Sequence, residues 1–289
     1  MKTKQLRVAA AQMKFRASVS ENLEWIADAT HRAAKNGTDA ILFPECAVTG
    51  YLCDFIRVSK DTVDRAVTAL GKLARSARCN LLIGCPTFRG STRFNSLLVL
   101  NRHGREIFRY SKIHLTPRDA RFFALGNSIA YFHLDGIACT AIICHERRYP
   151  ELVRLPVMLG AQILFHPNAG LDSWAVSRTK RGGRDGIAVR AFENQIYYVF
   201  ANSVGPQGEG LWAAGDSKIV APDSKILALA NNRDEMIIQA KLDLSKAGRK
   251  YAREAIRQPA FLRAQWRSIL LACRRRLSRA RVRPQTCRA

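Results

Sequence analysis

The sequence is poor in acid, in paired cysteine and in long apolar runs. Its 289 residues hold 23 Asp and Glu against 47 Lys and Arg, a formal charge of +24. Its eight cysteines contain no CxxC pair and no zinc-ligand spacing, which argues for reduced thiols and against a disulfide framework or a structural metal. No apolar run approaches the roughly 20 residues that span a bilayer. The start, MKTKQLRVAAAQM, also lacks the long apolar core and cleavage site of a secretion signal, so a cytoplasmic enzyme-sized protein is expected. With 47% hydrophobic and 24% charged residues, a wholly disordered, collagen-like or coiled-coil chain is excluded. No low-complexity linker or internal repeat interrupts residues 5–245, and that stretch reads as one domain with a sizeable core.

What is present is an alternation of short apolar runs with longer amphipathic ones. Leu6–Ala11 reads as a strand, and Ser18 with Glu21 has capping-box spacing ahead of a helix carrying Leu23, Ile26 and Ala33. A second strand is expected at Ala40–Phe43, a helix at Thr62–Ala77 and a third strand at Leu81–Gly84. Ser96–Leu100 and Glu106–Tyr110 flank the turn-rich Asn101-Arg102-His103-Gly104 and read as a hairpin. Further strands are expected at Ile129–Leu134, Ile137–Ile143, Ile163–Phe165, Tyr197–Ala201, Ser217–Val220 and Met236–Leu242, with helices near 149–160 and 174–194. Pro156 inside the first of these helices predicts a kink or an early first turn. Mixed sheets covered by helices are the simplest architecture for this pattern.

Three residues stand at strand ends, where functional side chains are common. Glu45 follows the run Ala40-Ile41-Leu42-Phe43-Pro44, Lys112 follows Phe108-Arg109-Tyr110-Ser111, and Cys144 closes the strand Ile137–Ile143. Taken singly, the acid and the lysine read as solvated charges. Cys144 differs from Cys139, which lies inside the strand, because it sits where the chain turns toward a helix and a cationic run. That position predicts a lowered thiol pKa. A cysteine, a carboxylate and a lysine together can split an amide: sulfur attacks the carbonyl, the carboxylate moves the proton to the departing amine, and the ammonium steadies the oxyanion. On spacing alone a Cys/His pair with His145, His114 or His166 as base stays open. A metal held by Cys144, His145 and Glu146 is disfavoured, since three adjacent side chains rarely converge on one ion.

In chain order, Phe43-Pro44-Glu45, then Tyr110-Ser111-Lys112-Ile113-His114-Leu115, then Ile142-Ile143-Cys144-His145-Glu146-Arg147-Arg148-Tyr149-Pro150-Glu151 resemble the nitrilase superfamily of carbon-nitrogen hydrolases. Supporting pieces include Thr49-Gly50-Tyr51, Phe94-Asn95-Ser96, His166-Pro167-Asn168 and Arg190-Ala191-Phe192-Glu193-Asn194, so the resemblance spans about residues 5–245. It implies an α/β fold, a four-layer αββα sandwich of two mixed sheets, assembled as a homodimer or higher homo-oligomer and needing no cofactor or metal. It also implies that Glu45 is the general base, Lys112 the oxyanion-stabilising lysine, Cys144 the nucleophile and the His145 N–H a second oxyanion donor. Where the family often has a helper glutamate after the lysine block, this chain offers only Asp119, one methylene shorter. Arg148-Tyr149-Pro150-Glu151 resembles the amidase and carbamoylase branches, although Glu146 replaces their usual aspartate. The expected reaction is hydrolysis of a small carboxamide through a thioester, with release of ammonia. The alternatives are an N-carbamoyl hydrolase acting on a ureido carbonyl and a low-turnover scaffold that binds anionic surfaces.

The charge divides the chain into an expected hydrolase domain, 1–248, and a basic extension, 249–289. From Arg249 onward there are 13 Lys and Arg and one acid, half of the total excess. Leu262, Trp266, Ile269, Leu270, Cys273 and Leu277 recur at helical spacing with Arg263, Arg267, Arg274 and Arg275 among them. Packing on another protomer, lying on an anionic membrane and salt-sensitive attraction of nucleic acid without sequence preference compete here, against the plain reading of a solvated, disordered tail.

Overall fold

The computed structural model describes residues 5–51, 54–180, 186–208, 210–257 and 260–280. Strand β1 (Gln5–Gln12) leads to helix α1 (Val19–Lys35), β2 (Ala40–Leu42), α2 (Lys60–Ala77) and β3 (Asn80–Arg89), and the chain then doubles back through β4 (Thr92–Leu100) and β5 (Glu106–Ser111). The helices begin where short polar side chains close the first turn. Ser18 Oγ accepts from the Glu21 amide at 3.2 Å, and the Glu21 carboxylate accepts from Ser18 N at 3.0 Å, completing the predicted capping box. Ser59 Oγ caps α2 by accepting from Thr62 N at 3.1 Å.

The second half runs β6 (Phe132–Leu134), β7 (Ile137–Ala141), α3 (Glu151–Leu159), β8 (Ile163–Asn168), β9 (Leu171–Ser173), α4 (Trp174–Ser177), α5 (Ile187–Asn194) and β10 (Tyr197–Asn202). After it come β11 (Val204–Pro206), β12 (Leu211–Ala214), β13 (Lys218–Val220), β14 (Ile226–Leu229), β15 (Met236–Asp243), α6 (Lys250–Ile256) and α7 (Ala260–Ala280). Two six-stranded sheets result, in the orders β15-β1-β2-β3-β4-β5 and β14-β13-β10-β8-β7-β6. Each is mixed, with parallel pairs at β1–β2–β3 and β7–β8–β10 and antiparallel strands outside them. β15 returns from the second half to pair with all eight residues of β1, from Gln5 opposite Asp243 to Gln12 opposite Met236.

Burial supplies the layers. Val8, Leu42, Leu82 and Leu97 on one sheet meet Ile163, Phe165, Val199 and Ile219 on the other. On the outer face of the first sheet, Ile26 and Ala33 of α1 and Val63, Leu70 and Ala74 of α2 cover Ala9, Ile41 and Leu81. On the outer face of the second, α3, α5 and α6 cover Ile142, Leu164, Tyr198 and Phe200 through Val153, Val157, Ala191 and Ala252. This is the expected four-layer αββα sandwich. Leu82 and Phe165 are fully buried between the sheets, so truncating either to Ala would cost about 2–5 kcal/mol.

Several elements depart from their sequence outlines. β3 and β4 form one long hairpin, Leu81 opposite Leu100 through Arg89 opposite Thr92, where only its apolar halves were expected. Pro86 and Asn95 interrupt the apolar pattern, yet Pro86 lies beyond the end of β2, where β3 has only β4 beside it. The expected helix over 174–194 is broken into α4, a 3-10 turn at Arg178–Lys180 and α5; residues 181–185 lie outside the described residues. Gly186 begins α5 at φ 73°, a conformation that ends helical continuity. A three-stranded sheet, β11-β12-β9, was not anticipated because its strands are only three or four residues long. Pro156 is buried within α3, which ends at Gly160.

Candidate active site

The carboxyl ends of β2, β5, β7 and β8 gather at one edge of the sandwich, and the predicted residues leave from them. Glu45 lies three residues past β2, Lys112 directly follows β5, and Cys144 lies three past β7. Glu45, Lys112 and Asp119 are buried to 0, 0 and 1% exposure, so their charges must be answered by each other. Lys112 Nζ donates to Glu45 Oε1 and to Asp119 Oδ2, each at 2.7 Å. Asn95 Nδ2 donates to Glu45 Oε1 at 2.7 Å, and the Ala169 amide donates to Glu45 Oε2 at 3.2 Å. On the far side, Tyr51 Oη donates to Asp119 Oδ1 at 2.6 Å and Thr116 N to Oδ2 at 3.1 Å. Burial works against the Lys112 charge, but Glu45, Cys144 and Asp119 override it and hold its pKa well above the usual lysine value. Asp119 is lowered: burial opposes ionisation and is outweighed by Lys112, Tyr51 and Thr116. An ammonium has three protons. Two are committed here, and one is left for a third acceptor.

Cys144 opens a 3-10 helix, Cys144–Arg148, at φ 52°, a left-handed conformation that costs a non-glycine residue on the order of 1–3 kcal/mol. The residue as a whole is half-buried, yet desolvation of its thiol dominates, and the Glu45 carboxylate adds to it. The pKa is pushed up to about 12, with Lys112 pulling the other way. This corrects the expectation of a lowered value. The cluster holds two carboxylates for one ammonium, so a thiolate would add a second net negative charge where water is excluded. A hydrogen bond from the thiol to Glu45 also contributes. Moving that proton onto Glu45 leaves the net charge unchanged.

The histidines do other work. His166 Nε2 donates to the Cys144 carbonyl at 3.0 Å, and Tyr198 Oη donates to His166 Nδ1 at 2.8 Å, so both ring nitrogens are occupied by the backbone clamp. Burial, with Arg147 nearby, holds the His166 pKa well below its usual value. His114 stacks flat on Tyr149 at 3.5 Å. The His145 ring meets the same tyrosine edge-on at 5.6 Å, and its pKa is lowered by partial burial and then by Lys112 and Arg148. As second residue of the 3-10 turn, His145 has its amide among the N-terminal N–H groups that lack an intrahelical acceptor.

Glu146 is fully buried, and both of its carboxylate oxygens are taken up by backbone amides and a tyrosine. Its Oε1 accepts from Ile113 N at 2.7 Å and His114 N at 3.2 Å, its Oε2 from Ile143 N at 2.7 Å, and both oxygens from Tyr110 Oη at 2.9 Å. It therefore ties the nucleophile turn to the segment leaving Lys112, and the three-residue metal reading has lost its carboxylate. Burial raises its pKa despite these four donors.

Two glycines set the backbone spacing. A Cβ on Gly84 would fall 2.2 Å from the Pro44 carbonyl and 2.7 Å from Glu45 Cα, and one on Gly126 would fall 1.9 Å from the Ser111 carbonyl beside Lys112. Sequence reasoning missed both, although a glycine inside the β3 pattern is itself a sign of close backbone approach. It also missed Asn95, Tyr51 and the Ala169 amide as partners of the acids. Their identities are ordinary, and only the fold brings them to Glu45 and Asp119.

The carbon-nitrogen hydrolase family model matches residues 7–251. Among relatives, 2-oxoglutaramate amidase from Bacillus subtilis is 28% identical over 250 residues, covering 84% of this chain and 90% of that protein. The (R)-stereoselective amidase from a Pseudomonas species is 28% identical over 218 residues, 74% of this chain and 77% of the relative. In solved structures, the NitN amidase of Nesterenkonia sp. AN1 superposes with a TM-score of 0.79 at 27% identity, over 90% of this chain and 99% of that one. A mutant of the same amidase, with the acetamide moiety of fluoroacetamide added covalently at its active-site cysteine, matches at a TM-score of 0.79 and 25% identity over 92% and 98% of the two chains. The match covers nearly all of the sandwich, and the chain belongs to the carbon-nitrogen hydrolase family of the nitrilase superfamily.

Proposed function

We propose that this enzyme hydrolyses a small carboxamide through a thioester on Cys144. The observation that carries the reading is the buried Glu45–Lys112–Asp119 cluster against a protonated thiol. Sulfur attacks the amide carbon as its proton passes to Glu45. Charge builds on the carbonyl oxygen, where the third Lys112 proton and the His145 N–H receive it. Collapse breaks the C–N bond, and Glu45 delivers the proton to the leaving ammonia. Water then gives a proton to Glu45 and its hydroxyl to the thioester, and the carboxylic acid departs as the thiol is restored. Asp119, held by Tyr51 and Thr116, fixes the ammonium from behind, the place the family's helper glutamate would take.

An ammonia-release screen over primary amides, dicarboxylate monoamides, N-carbamoyl amino acids and nitriles tests the reading, with mass spectrometry of the acyl-enzyme. Turnover of primary amides with an acyl adduct on Cys144 is expected. Turnover confined to ureido compounds would move the enzyme to the carbamoyl hydrolases, and turnover confined to nitriles would remove the amidase assignment.

The same proposal extends to setting and assembly. Residues 1–248 are taken as the hydrolase unit and 249–289 as a basic extension, with α6 leaning on α3 and α5 through Ala252. Exposed Leu155 and Leu159 on α3, Val189 and Phe192 on α5 and Ile256 on α6 give this helical layer an apolar outer face, which supports a homo-oligomer built across it. Free thiols at all six described cysteines support a cytoplasmic setting. The extension is read as a contact for anionic surfaces, with no specific nucleic acid.

A further inference from the structure

We infer that α7 lies on the surface of an anionic phospholipid bilayer. This deepens the reading of the extension as an anionic contact and is independent of the catalytic one. Every residue from Arg263 to Arg275 is exposed, so this stretch of α7 stands out from the sandwich with both its apolar and its basic side chains at the surface. Helices in proteins draw most of their stability from packing an amphipathic face, and a partner that supports α7 must match its two faces. At about 100° per residue, Ile269, Cys273, Trp266 and Leu270 fall within one arc of about 100°, and Arg263, Arg274 and Arg267 adjoin it on one side. Trp266, Ile269 and Leu270 are 65, 52 and 58% exposed. Leu271 falls outside the arc, on the polar side. From Arg257 to the last residue the sequence has ten arginines and no acid.

Charge and shape together select the occupant. A second copy of the helix would bring Arg263, Arg267 and Arg274 against their own equivalents in a two-fold contact. A nucleic acid would answer the arginines but leave Ile269 and Leu270 in water, with Trp266 as the one aromatic of the arc to stack on a base. An anionic membrane interface answers both: phosphate groups meet the arginines while the apolar arc enters the headgroup and acyl boundary. No described helix is long and apolar enough to cross a membrane, so α7 rests on the bilayer without spanning it.

Flotation of the full chain with vesicles of phosphatidylglycerol and phosphatidylcholine tests this. The protein should float with them at low salt, lose retention as salt rises, and show a blue shift of tryptophan emission that Trp266→Phe removes. Ile269→Asp with Leu270→Asp should lower retention by at least about tenfold. Arg263→Gln with Arg267→Gln and Arg274→Gln should do the same. Thermal unfolding of the sandwich should be little changed in both, since the substituted positions are all exposed. Equal retention on pure phosphatidylcholine would overturn the inference. So would unchanged retention in the Ile269/Leu270 variant, which would mean charge alone acts. Preferential capture by duplex DNA over vesicles at the same salt, or conversion of a dimer to a monomer by that variant without vesicle binding, would each assign the helix to the other partner.

Discussion

Lys112 and Arg267 carry the same charge in opposite circumstances. Lys112 has no exposed surface and has carboxylates at 2.7 Å on two sides, whereas Arg267 is exposed on a helix in a segment where no acid follows Glu254. The formal charge of +24 is therefore a poor guide to the site: Glu45, Asp119 and Lys112 sum to a net negative cluster inside a strongly basic chain. At the site, geometry fixes each charge against a named partner, and removing one leaves the other stranded in the interior. On α7 charge is collective, and no single arginine should matter much. Substitutions at the site should accordingly have large, local consequences, and those on the helix small, additive ones.

The sharpest contrast is expected at the nucleophile. Cys144→Ala should abolish turnover, and brief iodoacetamide treatment without substrate should label Cys144 ahead of Cys46 or Cys85. Labelling of those two with Cys144 untouched would remove it from the mechanism. Next come its partners: Glu45→Gln and Lys112→Ala should each lower kcat by at least about 100-fold. Asp119→Ala should fall between these and wild type, because Glu45 still holds Lys112 on one side. A near-normal rate in Glu45→Gln would show that another group moves the proton.

Glu146 probes the join between the site and the scaffold. Glu146→Ala would strand the Tyr110 hydroxyl and the amides of Ile113, His114 and Ile143, a loss of about 3–5 kcal/mol in unfolding free energy. Glu146→Gln keeps one oxygen but faces Ile143 N–H or Tyr110 with an amide group, and should lose less stability while kcat falls with KM little changed. Chemical denaturation and steady-state kinetics on the two variants separate these effects. Equal stability in Glu146→Ala and wild type would show that the turn is held elsewhere.

Much of this was readable from residue order. The alternation of runs placed β1, α1, β2 and α2, and the Ser18/Glu21 spacing gave the start of α1. Glu45, Lys112 and Cys144 stood at strand ends and do converge. What was not readable depends on distance through the fold. Asp119 is seven residues from Lys112 and meets it directly, but Tyr51 and Asn95 reach the acids across separations of 68 and 50 residues. The direction of the Cys144 shift was also misjudged. Local sequence displays the cations near residue 144, while burial and Glu45, 99 positions earlier in the chain, decide it.

That shift has a pH signature. Cys144, Cys79 and Cys85 are each pushed from an ordinary thiol value of 9.0 up to about 12, chiefly by burial. A folded pKa above the unfolded one means the native state holds these protons more tightly. Their contribution to stability is complete below pH 9 and is lost as pH rises from 9 through 12. Alkaline unfolding followed by circular dichroism should show this decline, and Cys85→Ala should flatten part of it once its own cavity cost is subtracted. Across neutral pH the rate should show no thiol titration. An iodoacetamide labelling rate at Cys144 that rises with pH and levels off near pH 7 would mean the thiolate is already formed.

The smallest effect is expected at the other pole of the comparison. Deleting residues 259–289 removes α7 and most of the basic extension, yet leaves both sheets, α6 and every partner of Glu45, Lys112, Asp119 and Cys144 in place. Among the described residues, none of the hydrogen bonds that hold those four residues comes from beyond residue 198. Amide hydrolysis by the truncated chain should therefore stay within about twofold of the full chain in solution, where long-range arginine charges are screened beyond about 10 Å. Vesicle retention should disappear in the same protein. If truncation instead costs both oligomeric state and turnover, the arginine helix completes the assembled enzyme, and the separation of a self-sufficient buried site from a collective surface charge does not hold.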